Sequence, residues 1–211
     1  MQKKFAVMIY PHFSLQEITC LTSHLALWEG HEIVVFASTK DVIKSEEGFS
    51  VIADKTFDEF YAADFNLLIL PGIINPLPAL FDNKNIEFLR TLKSAELIIA
   101  SISSSPLLLA KAGLLDNVGF TSGLFVEMMD FFDFVPKENA VFTPVCRDKN
   151  VITAIGFAFR EFATEVLRAI GVDCENTIQQ GVVREYSKDE LMYRMDEELF
   201  RKFVAECETY L

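Results

Sequence analysis

Histidine runs out early in this chain. There are three, His12, His24 and His31, and none after residue 31. That scarcity restricts acid–base chemistry, for which histidine is the commonest agent near neutral pH. Cysteine is thin as well. Cys20, Cys146, Cys174 and Cys207 are scattered without a CxxC pair, so neither a disulfide framework nor a zinc site is implied, and no metal or cofactor motif appears. A reduced, cytoplasmic setting is the simplest expectation. No apolar run reaches the roughly 18 residues of a membrane span. The opening "MQKKFAVMIY" has no small-residue cleavage site behind it and reads as a first strand, not a signal peptide. Positive charge is also short: 19 Lys and Arg against 31 Asp and Glu give a net charge of −12. That balance excludes nucleic acid and an anionic membrane surface as expected partners.

What is present is core material. The 211 residues are 51% apolar with 20 Phe, enough for one sizeable domain. Strand-like and helix-like segments alternate. "FAVMIY" (5–10), "EIVVFAS" (32–38), "FNLLILPG" (65–72) and "ELIIASIS" (96–103) are apolar runs suited to buried strands. Between 14 and 29, Leu15, Ile18, Leu21, Leu25 and Trp28 recur at helical spacing, with Gly30 as the stop. Helices are also expected at 84–93, at "SPLLLAKA" before Gly113, and at about 157–170 before Gly171. "AVFTPVCRDKNVITA" (140–154) suggests two short strands about "RDKN". Continuous apolar strands alternating with helices predict a doubly wound, flavodoxin-like parallel α/β sandwich over 1–171. Residues 172–211 are charge-rich. "SKDE" (187–190) reads as a capping box, and Leu191, Met195, Leu199, Phe203 and Cys207 share one helical face, so a C-terminal helical appendage is expected.

Ligands of such sheets bind beyond the carboxyl ends of the strands. Three loops there carry unusual residues: "YPHFSLQE", "LPGIINP" and "SISSSP". A side chain at a tight strand-to-helix elbow faces free helix N–H groups, which favour developing negative charge. Pro106 fits the first helical turn.

"ADFNLLILPG", "IASISSSPLLLAKAGLLDN" and "VITAIGFAFREFATEVLRAIG" together resemble the ThiJ/PfpI family of the class I glutamine-amidotransferase-like superfamily, from about residue 5 to 171. The resemblance implies an elbow of the form A-x-I-C-x-G-P with a cysteine nucleophile at positive φ. Here that position is Ser103, followed by Ser104 and Ser105. The family's acid matches Glu17, and its "PGG", which offers backbone N–H groups, matches Pro71-Gly72-Ile73. The histidine partner falls on Gly123 of "FTSG". The acid therefore remains while the thiol and the imidazole are gone. Members of the family, described as proteases, amidases, chaperones, glyoxalases or deglycases, commonly form dimers, and an apolar patch around the first helix would suit one.

A cysteine at an elbow works because its pKa of about 8.5 can fall into the thiolate range. A serine needs an adjacent base, and an ordinary carboxylate such as Glu17 is a weak one. His12, in the first loop, is a possible accessory base. Ser103 is thus either a nucleophile with Glu17 or a small polar residue in an inherited elbow. Glu17 is either the site acid or, with Ser14, a capping box; Cys20 is a buried filler or a displaced thiol. Gly72, Ile73 and Ser104 are expected to offer backbone N–H groups. The resulting expectation is a small-molecule-binding, homodimeric protein without thiol catalysis. The alternative is an amidase-, protease- or glyoxalase-like hydrolase using Ser103 with Glu17.

Overall fold

A computed structural model describes residues 4–172, Cys174, Glu197, Glu198 and Arg201. The C-terminal stripe and its capping box lie outside the described residues. One compact unit runs through Gln180 and a second comprises Gly181–Leu211. In the second, Glu197, Glu198 and Arg201 are helical, and Arg201 lies 3.6 Å from the Glu197 carboxylate one turn earlier.

In the first unit a seven-stranded sheet has the order β5-β2-β1-β6-β7-β9-β8. Its strands are β1 (Lys4–Met8), β2 (Glu32–Ala37), β5 (Lys55–Thr56), β6 (Leu67–Leu70), β7 (Ile98–Ile102), β8 (Val145–Asp148) and β9 (Val151–Ala154). All neighbours are parallel except β8, which runs antiparallel to β9. β6 and β9 are buried along their whole length, as strands covered on both faces require. Helices flank the sheet. α1 (Gln16–Ser23) packs with α6 (Phe159–Ala169), and α3 (Asn83–Arg90) packs with α4 (Pro106–Ala112) and α2 (Leu77–Phe81). A hairpin of two-residue strands, β3 (Ile43–Lys44) and β4 (Ser50–Val51), stands outside the main sheet, and α5 (Val126–Phe131) follows the loop after α4. No described helix is long and apolar enough to cross a membrane.

The chain leaves β1 toward β2 and later returns to β1's other side as β6, so a crevice opens between their carboxyl ends. Two bonds tie those ends together. The buried Tyr10 hydroxyl donates to the Pro71 carbonyl, and the Ser14 amide donates to the Gly72 carbonyl at 2.8 Å.

The first helix departs from its expected stripe. After Ser23 it widens into a π turn, His24–Trp28, before Gly30 ends it at φ +65°. Ile18, Leu21 and Leu25 are buried as expected, but Trp28 is 64% exposed and His24 is buried. A π turn carries more residues per revolution than an α turn, so side chains beyond it fall out of phase with those before it.

Candidate functional site

At the end of β7 the three serines have three separate environments. Ser103 sits at φ +64°, its amide donating to Ala154 O (2.8 Å) and its carbonyl accepting from Gly123 N (2.7 Å). A left-handed conformation costs a residue with a Cβ roughly 1–2 kcal/mol, and these bonds from β9 and the 123 loop hold it. Ser104, buried, accepts from Ile73 N (3.3 Å) and donates to Ile73 O. Ser105, fully buried, pairs with Ser101 Oγ (2.7 Å) and lies 2.8 Å from Ile102 O and 3.1 Å from Leu70 O. Ser105 therefore joins β6 to β7, and Ser104 joins the elbow to the loop after β6. Ser103 alone turns its hydroxyl to Glu17.

Glu17 is not part of a capping box. α1 begins at Gln16, and Leu15 at its N-cap makes no side-chain cap bond. The cap comes instead from Glu47 in the β3–β4 hairpin. Its Oε1 accepts from the Gln16 amide at 2.9 Å and from the Ser14 hydroxyl at 3.2 Å. With the helix end satisfied from elsewhere, the Glu17 carboxyl is left to face Ser103. Burial pushes its pKa from 4.5 to about 7. The Ser103 hydroxyl and the Gly72 amide oppose that rise, and the charges of Glu46 and Glu47 add to it. Oε2 is buried with no partner in ordinary hydrogen-bond geometry.

Three glycines let these groups meet. A Cβ on Gly72 would lie 1.8 Å from Glu17 Oε2, and one on Gly156 would lie 2.5 Å from Glu17 Oε1 and 3.1 Å from Ser103 Oγ. At Gly123 a Cβ would come within 3.3–3.4 Å of Ser103 Cα, C and Oγ, so a side chain at 123 would rest against that serine. Gly156, at the turn from β9 into α6, went unnoticed in the sequence. Its one signal is a glycine two residues after a buried strand.

A cleft of about 270 Å³ opens here, with Glu17, Glu46, Ser103 and Ser104 as its polar lining and Ile73, Ile74, Leu124, Phe125 and Met128 among its apolar walls. Of the residues singled out from sequence, it brings together Ser103, Glu17, Ser104, Ile73 and Gly123, with Gly72 against the carboxyl. Glu46, Ile74, Leu124, Phe125 and Met128 were not anticipated. His12 is exposed at φ +63°, its amide bonded to Lys44 O (2.7 Å), and is not among the described residues lining the cleft. A larger hollow of about 650 Å³ opens at the amino ends of β6, β7 and β9, beside Lys93, Glu96 and Asn150, but no strand-to-helix elbow faces it. Burial pushes the Cys20 thiol up, which suits a packing residue better than a nucleophile. No cluster among the described residues could hold a metal ion.

Fold and elbow together define a flavodoxin-like α/β protein with its cleft at the crossing point of the sheet. The DJ-1/PfpI family model matches residues 3–169, and the chain belongs to the DJ-1/PfpI family. It is 33% identical over 115 residues to "Deglycase PfpI" of Pyrococcus furiosus, a match covering 54% of this chain and 63% of that protein. The chain therefore spans less than two thirds of that relative. "Uncharacterized protease YdeA" of Bacillus subtilis is 30% identical over 154 residues, covering 72% of this chain and 74% of that one. The crystal structure of "DJ-1 Superfamily Protein Atu0886" from Agrobacterium tumefaciens superposes with a TM-score of 0.74 at 20% identity, over 82% of this chain and 93% of that one. At that identity the likeness is one of fold.

Proposed function

We propose that this protein binds a small polar ligand in the Ser103–Glu17 cleft and does not run thiol or acyl-transfer chemistry there. One observation carries the reading: two of the three backbone donors expected to stabilise an oxyanion are already engaged. The Ile73 amide is bonded to Ser104 Oγ and the Gly72 amide is directed at Glu17, which leaves the Ser104 amide alone of the three. Acyl transfer depends on such donors, and losing one costs about 10²–10³ in rate. The absence of a thiol at 103 and of an imidazole at 123 points the same way.

A hydrolase using Ser103 has one observation in its favour. Glu17 near 7 is a stronger base than an ordinary carboxylate, so base strength alone does not exclude it. Turnover of an ester, amide and α-oxoaldehyde panel by wild type and Ser103→Ala separates the two. Equal, near-background rates support binding. Wild-type turnover that vanishes in Ser103→Ala makes Ser103 a nucleophile and overturns the binding reading.

A cytoplasmic homodimer belongs to the same proposal. Leu27 and Trp28, both exposed on the π turn, are the apolar pair that supports a subunit contact on the first helix.

A further inference from the structure

The cleft has an uneven inventory of polar groups. On the donor side, the Ile73 and Gly123 amides are engaged within the protein and the Gly72 amide faces Glu17, which leaves the single Ser104 amide. On the acceptor side stand the Glu17 carboxyl, the carboxylate of Glu46 and the Ser103 hydroxyl oxygen. No lysine, arginine or histidine is among the described residues lining it. An anion brought here would meet two carboxyl groups and no free cation. A group with several N–H donors and positive charge would meet three acceptor groups and two carboxyls of opposite charge once Glu17 is ionised.

The walls set the rest of the ligand. Ile74 and Phe125 line the cleft yet are 80% and 73% exposed, so a short apolar group seated between them would cover surface that water now reaches. The volume, about 270 Å³, is below the range of about 300–1,000 Å³ that holds drug-sized ligands.

We propose that this cleft selects a small primary ammonium bearing a short apolar group, and discriminates against a carboxylate of the same shape. The inference rests on the reading that the cleft binds a small ligand, and supplies the chemistry of that ligand. The ammonium donates to the Glu17 carboxyl and Ser103 Oγ, Glu46 adds long-range attraction, and the alkyl part lies against Ile74 and Phe125. A cation here also favours the ionised form of Glu17, so binding strengthens as pH rises through about 7. The other titratable groups acting on that carboxyl are Glu46, Glu47 and Tyr10.

The test is calorimetric titration of the full chain with n-butylammonium, butyrate and butyramide at pH 6 and pH 8. The amide resonances of Gly123 and Gly156 report whether each ligand enters the cleft. Butylammonium is expected to bind at least tenfold more tightly than the other two at pH 8, to weaken at pH 6, and to lose that advantage in Glu17→Gln. Equal or tighter binding of butyrate or butyramide at the cleft overturns the charge preference and leaves the binding role standing. Absence of binding by all three overturns both.

Discussion

Glu17 and Glu47 stand at the same helix start and have moved in opposite directions. Glu17 belongs to α1 and is held near 7 by burial; Glu47 comes from the hairpin and is lowered to about 2. Burial opposes that lowering at Glu47, but the Gln16 and Leu15 amides, the Ser45 hydroxyl and its own amide outweigh it. The difference lies in hydrogen-bond supply. One carboxylate collects the free N–H groups of the helix end, and the other is left with a serine hydroxyl, one glycine amide and two neighbouring charges.

Removing the Glu17 charge should give the largest effect. Below about pH 4.5 the carboxyl is protonated in both folded and unfolded chains and contributes nothing to pH dependence. Between 4.5 and 7 the folded chain keeps a proton that the unfolded chain has released, so the penalty of ionising the buried group grows with pH and is complete above 7. Partial access of water keeps it on the order of 2 kcal/mol. Glu17→Gln is therefore expected to gain about 2 kcal/mol at pH 8 and almost nothing at pH 4. Urea unfolding at both values measures it, and equal stability of the two proteins at pH 8 would contradict the burial argument.

Glu47→Ala tests the other half. Its stabilisation is present above the unfolded pKa and is lost as pH falls toward 2. Loss of the cap should cost about 1 kcal/mol at pH 7, with the acid-unfolding curve converging on that of wild type at the lowest pH. A cost that stayed constant down to pH 2 would assign the loss to packing instead. The smallest effect is expected from Glu46→Gln. Taking away that charge should lower the Glu17 midpoint from about 7 without measurable change in stability, as followed by carbon NMR of the Glu17 carboxyl. An unmoved midpoint would remove Glu46 from the electrostatics of the cleft.

The parts of this contrast were unequally legible in the sequence. β1, β6 and β7 are runs of apolar residues that can only be buried on both faces, and they appeared where such runs fall. Gly30 and Gly113, at φ +65° and +73°, end their helices as C-terminal glycines do. Glu17, Ser103 and Ser104 were legible through the family resemblance, which fixed their positions but not their bonds. The hairpin was not, because strands of two residues leave no periodicity to detect. Nothing in the letters around Glu46 and Glu47 therefore marks them as neighbours of the site. "SLQE" read as a capping box for a related reason: local spacing cannot reveal a carboxylate that arrives from 31 residues away. Trp28 misled because a π turn changes the phase of a helix with no marker in the letters around it.

The hydrogen bond between Ser104 and the Ile73 amide bears on how this chain could change under mutation. A cysteine placed at 103 would find its neighbouring donor still occupied by the next residue along. Withdrawing the Ser104 hydroxyl without supplying a nucleophile would only unpair a buried amide, at about 1–3 kcal/mol. The second change is thus harmful when taken alone, so the order in which substitutions reach this elbow matters.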